Sequence, residues 1–251
     1  MSLVVPAVLP ASRTDLEEKL ALFASIPSVS RIQVDVVDGK FAAPASWPYS
    51  PPSPKATGGH SATTQGAPYS ELETMVQKGE MLPQLDRFEY EIDLMCLDAL
   101  DAAEAWLAQG ATRLTFHAES TTDLPRMLSS AHGRYGGVGL ISIGLALNVT
   151  GDLAFIEPNL EQVEYVQFMG IAQIGRQGQP FDDRVLEKVR IFRSRHPEIA
   201  VQVDGGISLT NAKKLVALDV SNLVIGSGIL KAKNPAAEVA KFEALQTSYG
   251  V

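Results

Sequence analysis

Eight short apolar, β-branched runs recur along the chain, at residues 3–9, 31–38, 88–96, 112–118, 138–148, 164–171, 199–204 and 222–226, with amphipathic stretches between them. This alternation constrains the fold more than any other feature of the sequence. A strand that leads through a helix to the next strand must cross over, so successive strands run parallel. The helical stretches, among them 14–24, 98–109, 182–195 and 209–218, carry apolar residues at helical spacing. Ser12, Asp98 and Ser208 stand where N-caps are expected. Eight regular units in 251 residues match one closed (β/α)₈ barrel, the TIM fold, better than a doubly wound open sheet. The expectation is a single barrel domain over residues 1–251.

Composition narrows the partners. The formal net charge is −8, which argues against nucleic acid as the main partner and leaves an anionic substrate dependent on local donors. The opening MSLVVPAVLP lacks a basic region and reads as a buried strand, not a signal peptide. No apolar run is long enough for a bilayer. One cysteine, Cys96, offers neither an intrachain disulfide nor a cysteine cluster for a metal, and suits a reducing compartment. The expected protein is cytoplasmic, with no membrane partner. Residues 42–68 break the pattern, being rich in Pro, Gly, Ser and Thr. They follow the second strand and so leave from the carboxyl face of the barrel. The segment reads either as a mobile surface loop or as a lid or oligomer contact anchored by Trp47 and Tyr49.

Strand side chains alternate between the barrel interior and the helix layer. The apolar set packs under the helices, so the other set faces inward. That set holds Gln33 and Asp35 in strand 2, Glu89, Glu91, Asp93 and Met95 in strand 3, Thr115 and His117 in strand 4, and Gln202 and Asp204 in strand 7. Barrel interiors are usually filled by branched apolar residues, so this polar set points to a site. Glu89 and Glu91 come early in their strand and read as a paired, buried polar layer. His117 reads as a hydrogen-bonded interior histidine or as a ligand. Asp35, Asp93 and Asp204 stand at the carboxyl ends of their strands, where unpaired buried carboxylates are unfavourable, and a functional role is expected. Glycines at 178, 205, 206 and 226, with Ser227, fall on the loops after strands 6, 7 and 8. Glycine lets backbone amides approach phosphate oxygens, a following helix N-terminus adds its dipole, and Arg176 offers a charge. The same glycines also suit plain tight turns.

Several segments resemble the ribulose-phosphate 3-epimerase family. They are Val4-Val-Pro-Ala-Val-Leu9, Ile32-Gln-Val-Asp-Val-Val-Asp-Gly-Lys-Phe41, Asp93-Leu-Met95, Thr115-Phe-His-Ala-Glu119, Gly144-Leu-Ala146, Gly178-Gln-Pro-Phe181, Val203-Asp-Gly-Gly-Ile207 and Ile225-Gly-Ser-Gly-Ile229, in the family's order. The resemblance implies a ribulose-phosphate-binding barrel that epimerises a phosphorylated ketose through an enediolate. Asp35 and Asp204 would be the acid/base pair. Gly175, Arg176, Gly178, Gly205, Gly206, Gly226, Ser227, Met95, Met169 and His117 would contact the sugar phosphate. The family's metal would fall to Gln33, Asp35, Asp93 and Asp204. The chain departs from the family at Ala7, usually serine, and at Gln33 and Asp93, both usually histidine. Its 173–179 loop is one residue longer than usual. The remaining donors are all oxygen, which favours Mg²⁺ or Mn²⁺ over Zn²⁺. A metal-free site, with Asp93 protonated or bonded to His117 or Gln33, is the rival. No organic cofactor is implied, and a homo-oligomer is expected. Loss of both histidines also supports a second reading, a catalytically silent barrel that binds a phosphorylated metabolite. A Schiff-base aldolase is disfavoured because no strand carries an inward lysine. The decarboxylase pattern Asp-x-Lys-x-x-Asp fails because Val37 stands second after Asp35.

Overall fold

A computed structural model describes residues 3–49, 70–135 and 139–248. Its strands are β1 (Val4–Val8), β2 (Arg31–Val37), β3 (Glu89–Met95), β4 (Arg113–His117), β5 (Ser142–Leu147), β6 (Tyr165–Met169), β7 (Ala200–Asp204) and β8 (Asn222–Ile225). Each strand pairs in parallel with the next, and β8 pairs back onto β1, so the sheet closes into a (β/α)₈ TIM barrel. The helices are α1 (Arg13–Ala24), α2 (Ser70–Gln77), α3 (Ala99–Ala108), α4 (Leu124–Tyr135), α5 (Leu153–Ile156), α6 (Arg184–Arg195), α7 (Leu209–Val216), α8 (Ser227–Leu230) and α9 (Pro235–Ser248). Strand 5 begins later than its apolar run suggests. Gly139 has a φ of +67° and Leu140 is exposed, so this end of the run is a turn. None of the helices described is long and apolar enough to cross a membrane.

The helix starts follow local chemistry. Ser12 Oγ accepts from the Asp15 amide, and Ser208 forms a reciprocal capping box with Asn211. Asp98 differs from expectation. It makes no cap bond, because its Oδ1 accepts from the Tyr49 hydroxyl at 2.6 Å. Trp47 is buried edge-on against Trp106, and its indole donates to Glu71. The two aromatic anchors thus tie the start of the segment after β2 to the β3–α3 side of the barrel. Residues 50–68 of that segment lie outside the described residues.

Outward residues such as Ile32, Val34, Val36, Ile92 and Leu94 are fully buried beneath the helices, each contributing roughly 1.5–3 kcal/mol. The barrel's lower interior is polar. Glu91 accepts from Arg113 Nε at 3.1 Å, from Thr115 Oγ1 at 3.1 Å and from Gln202 Nε2, and Arg31 lies 3.6 Å away. Glu89 is exposed instead, so the expected buried pair of glutamates is not formed. It begins β3 at the open lower rim, where its side chain reaches water. The partners of Glu91 are the arginines of β2 and β4, which stack a layer of mixed charge inside the barrel. Arg113 also lies over the Tyr165 ring, 4.2 Å from its centroid.

Replacing Glu91 by Ala would leave two largely buried guanidinium groups facing each other. A loss of about 3–5 kcal/mol of unfolding free energy is expected, as when one partner of a buried ion pair is removed. Urea denaturation measures it, and a change below about 1 kcal/mol would show that the arginines escape to water.

Candidate active site

The alternation along β2, β3, β4 and β7 turns Gln33, Asp35, Asp93, His117 and Asp204 into the barrel. The register sets Asp35 beside Asp93, and Asp93 beside Thr115. Asp35, Asp93 and Asp204 are all buried, and each offers an oxygen that lies within 4.8 Å of the others.

Two sets of partners divide this cluster. Gln33 Nε2 donates to Asp35 Oδ1 at 2.8 Å and to Asp204 Oδ2 at 3.2 Å. Asp93 is held separately, by His117 Nε2 at 2.9 Å from Oδ1 and by Gln167 Nε2 at 3.2 Å from Oδ2. A carboxylate partner places the imidazole hydrogen on Nε2. Two buried atoms at the centre, Gln33 Oε1 and His117 Nδ1, have no protein partner.

The cluster carries an electrostatic penalty. Burial first, and then the charge of Asp93, push Asp35 up to about 8, against the pull of the Gln33 amide. Burial, then Asp35, then Asp93 hold Asp204 well above the ordinary carboxylate range. Such a pair keeps a proton at neutral pH. A hard divalent cation would relieve the same repulsion, and the donors fit one. They are three carboxylate oxygens and the orphaned Gln33 oxygen, which faces the carboxylates if the amide turns over.

A cavity of about 180 Å³ opens above the cluster, at the carboxyl ends of the strands. Asp35, Asp204, Met95 and Met169 line its inner end. Gly175, Arg176, Gly178, Gly205, Gly206, Gly226 and Ser227 line its outer end, so the loops after β6, β7 and β8 do converge. Gly206 has a φ of +68°, and a Cβ there would lie 2.7 Å from the Phe181 backbone, so only glycine permits this turn. Gln33, Asp93 and His117 are fully buried and do not line the cavity. His117 bonds to Asp93 and rests 5.4 Å from the Phe41 ring. Arg176 leans away and donates to the Ala43 carbonyl at 2.9 Å. The helix dipole expected at the glycine loops is weak, because α8 is a single turn and α7 starts only at Leu209.

Three residues escaped the sequence reading. Gln167 faces inward on β6 by the same alternation that marks the others. Gln177 lies in an aperiodic loop, packs directly against Gly226 and donates to the Ala7 carbonyl at 3.3 Å. Asp38 shapes the turn after β2 by accepting from the amides of Lys40, Phe41 and Leu97.

A closed parallel barrel with carboxylates and glycine loops gathered at one mouth defines an α/β barrel with its polar centre at the strand ends. Residues 73–230 match the model of the ribulose-phosphate 3 epimerase family. The chain belongs to that family. It is similar to the ribulose-phosphate 3-epimerase of Schizosaccharomyces pombe, with 27% identity over 58% of this chain and 61% of that protein. The ribulose-phosphate 3-epimerase of Aquifex aeolicus is 29% identical over 55% of this chain and 62% of its own. The matches therefore span less than two thirds of these relatives, and the family match begins after β2 and Asp35. Among solved structures, KGPDC from Streptococcus mutans superposes with a TM-score of 0.61 at 16% identity, covering 100% of this chain and 100% of that one. At that identity the likeness speaks for the fold alone.

In chelator-treated protein, Asp35→Asn is expected to be the more stable form. The folded state holds a proton on Asp35 more tightly than the unfolded chain does. Wild-type stability should therefore fall as pH rises from about 4 towards about 8 and level off above. The stability difference, variant minus wild type, should grow over that window by several kcal/mol, at about 1.4 kcal/mol per pH unit. Thermal unfolding across pH measures it, and a flat difference would mean that Asp35 is not a strained charge.

Proposed function

We propose that the chain is an epimerase or isomerase of a phosphorylated ketose, of the ribulose 5-phosphate/xylulose 5-phosphate type, acting through an enediolate. One observation carries this reading. Asp35 and Asp204 reach a single cavity from β2 and β7, with a glycine-lined cradle at its other end. A sugar phosphate anchored by backbone amides in that cradle would place its carbon chain against both carboxyl groups. One carboxylate takes the proton from carbon, and the other, as carboxylic acid, returns a proton on the opposite face. Their mutual repulsion supports these roles, since it leaves one protonated when the other is charged. Met95 and Met169 would supply an apolar wall that excludes water. Asp93, fixed by His117 and Gln167, would keep its place beneath the acid/base pair without moving a proton. A divalent ion, with Mg²⁺ or Mn²⁺ preferred over Zn²⁺, would be held by Asp35, Asp93, Asp204 and Gln33 Oε1. When bound, it would stabilise negative charge on the substrate oxygens. The proposal includes one domain over residues 1–251, cytoplasmic residence and a homo-oligomer.

One observation favours the second reading, a silent barrel that only binds a phosphorylated metabolite. The Gln33 amide already occupies the space between the two carboxyl groups. Solvent deuterium exchange separates the two. Wild-type protein in deuterated water should label a ketose phosphate at the carbon that epimerises. Asp35→Asn and Asp204→Asn should each slow the exchange by about 10²–10⁴-fold while the fold is kept. Binding of the ketose phosphates without exchange in any of them would establish the silent barrel.

A further inference from the structure

A phosphorylated ligand in this cavity meets a charge problem. Its far end lies against Asp35 and Asp204, and the whole chain carries a net charge of −8. The glycine amides are neutral donors, and the helix that starts at the cradle, α8, is a single turn. Arg176 is drawn towards the loop after β2 by the Ala43 carbonyl. Two other ammonium groups packed at the strand ends are committed. Lys19 is held by Asp15 and the Leu9 carbonyl, and Lys188 by the carbonyls of Asn148 and Gly151.

Lys231 differs from these. It follows the single turn α8, and its amide donates to the Ser227 carbonyl at 3.1 Å, which fixes the stem over the cradle. Its Nζ lies 3.4 Å from the point that a Cβ on Gly178 would occupy, and Ser227 Oγ lies 4.0 Å from the same point. Gly178 and Ser227 both line the cavity. No hydrogen bond or ion pair engages Lys231 Nζ or Ser227 Oγ among the described residues. On the other side, across Gly226, the Gln177 amide nitrogen lies 2.5 Å from the place of a Cβ on that glycine. The cradle thus has a neutral donor on one flank and an unpaired cation on the other.

We propose that Lys231 is the cation of the anion subsite, acting with Ser227 Oγ at the rim formed by Gly178, and that it makes the site selective for a doubly charged phosphate monoester. The inference rests on the phosphosugar reading and adds to it the residue that supplies the charge. Lys231 stands one position beyond the end of the family match. It is a binding residue: it neutralises the anion and moves no proton.

The test uses the full chain and inorganic phosphate alone, titrated calorimetrically at several salt concentrations. Lys231→Met should weaken binding about tenfold and make it less dependent on salt, because a charge-assisted contact is lost. Lys231→Arg should stay within about threefold of wild type, since the charge is kept. Lys233→Met, two positions along and exposed, should bind as wild type does. The salt slope is the readout that a merely structural lysine would not move. Unchanged phosphate affinity in Lys231→Met, with wild-type protein binding, overturns the role of Lys231 and leaves the phosphate reading standing. Failure of the wild-type protein to bind phosphate or any ketose phosphate overturns both.

Discussion

Three carboxyl groups share one small buried volume, and their mutual repulsion organises the interior of this barrel. Burial already disfavours the charge on each of the upper two, the neighbouring carboxyl groups add to that cost, and together they need donors, protons or a cation. The chain answers with two separate arrangements. One amide, from Gln33, serves Asp35 and Asp204, while His117 and Gln167 serve Asp93. The result is a carboxyl group fixed beneath and a strained pair above, with the strained pair facing the cavity. Stability given up at the pair is offset by the apolar layer between strands and helices.

The resemblance to the family's metal site is one of position more than of ligand chemistry. Two imidazoles at these positions would give a mixed nitrogen and oxygen donor set that suits softer ions. An amide and a third carboxylate give a site of oxygen donors with a higher density of negative charge. That change also creates the need for the Gln33 amide to stand between the acids when no ion is bound.

Much of the architecture was legible in the sequence because both periods are simple. Alternation of two placed Gln33, Asp35, Glu91, Asp93, His117 and Asp204 inside the barrel, and the regular strand spacing foretold closure. The glycine loops converge because parallel strands deliver all their carboxyl-end loops to one face. What could not be read depends on contacts between distant segments. Asp98 looked like a cap until the Tyr49 hydroxyl reached it across the fold. Glu89 looked like a partner of Glu91, but it is the first residue of β3 and stands exposed at the rim. Gln177 and Lys231 lie in or after short irregular turns, where no period says which way a side chain points. His117 could be placed inside, but only the structure shows that it lies below the cavity floor and not on its wall.

The polar floor around Glu91 has a further consequence for how this chain can change. Gln202 bonds both Glu91 and Gln167, and Gln167 in turn bonds Asp93. A continuous chain of hydrogen bonds therefore runs along the barrel axis, from the arginines at one end to the carboxylates at the other. Side chains in one network do not contribute additively. Substitutions at the foot of the barrel are thereby coupled to those at its mouth. A sequence drifting at Gln202 alone strands Gln167 and loosens Asp93, some layers above. Paths of neutral change through this interior are then narrow, and they pass through paired replacements, in which an apolar residue enters one strand only when its neighbour has already given up its donor.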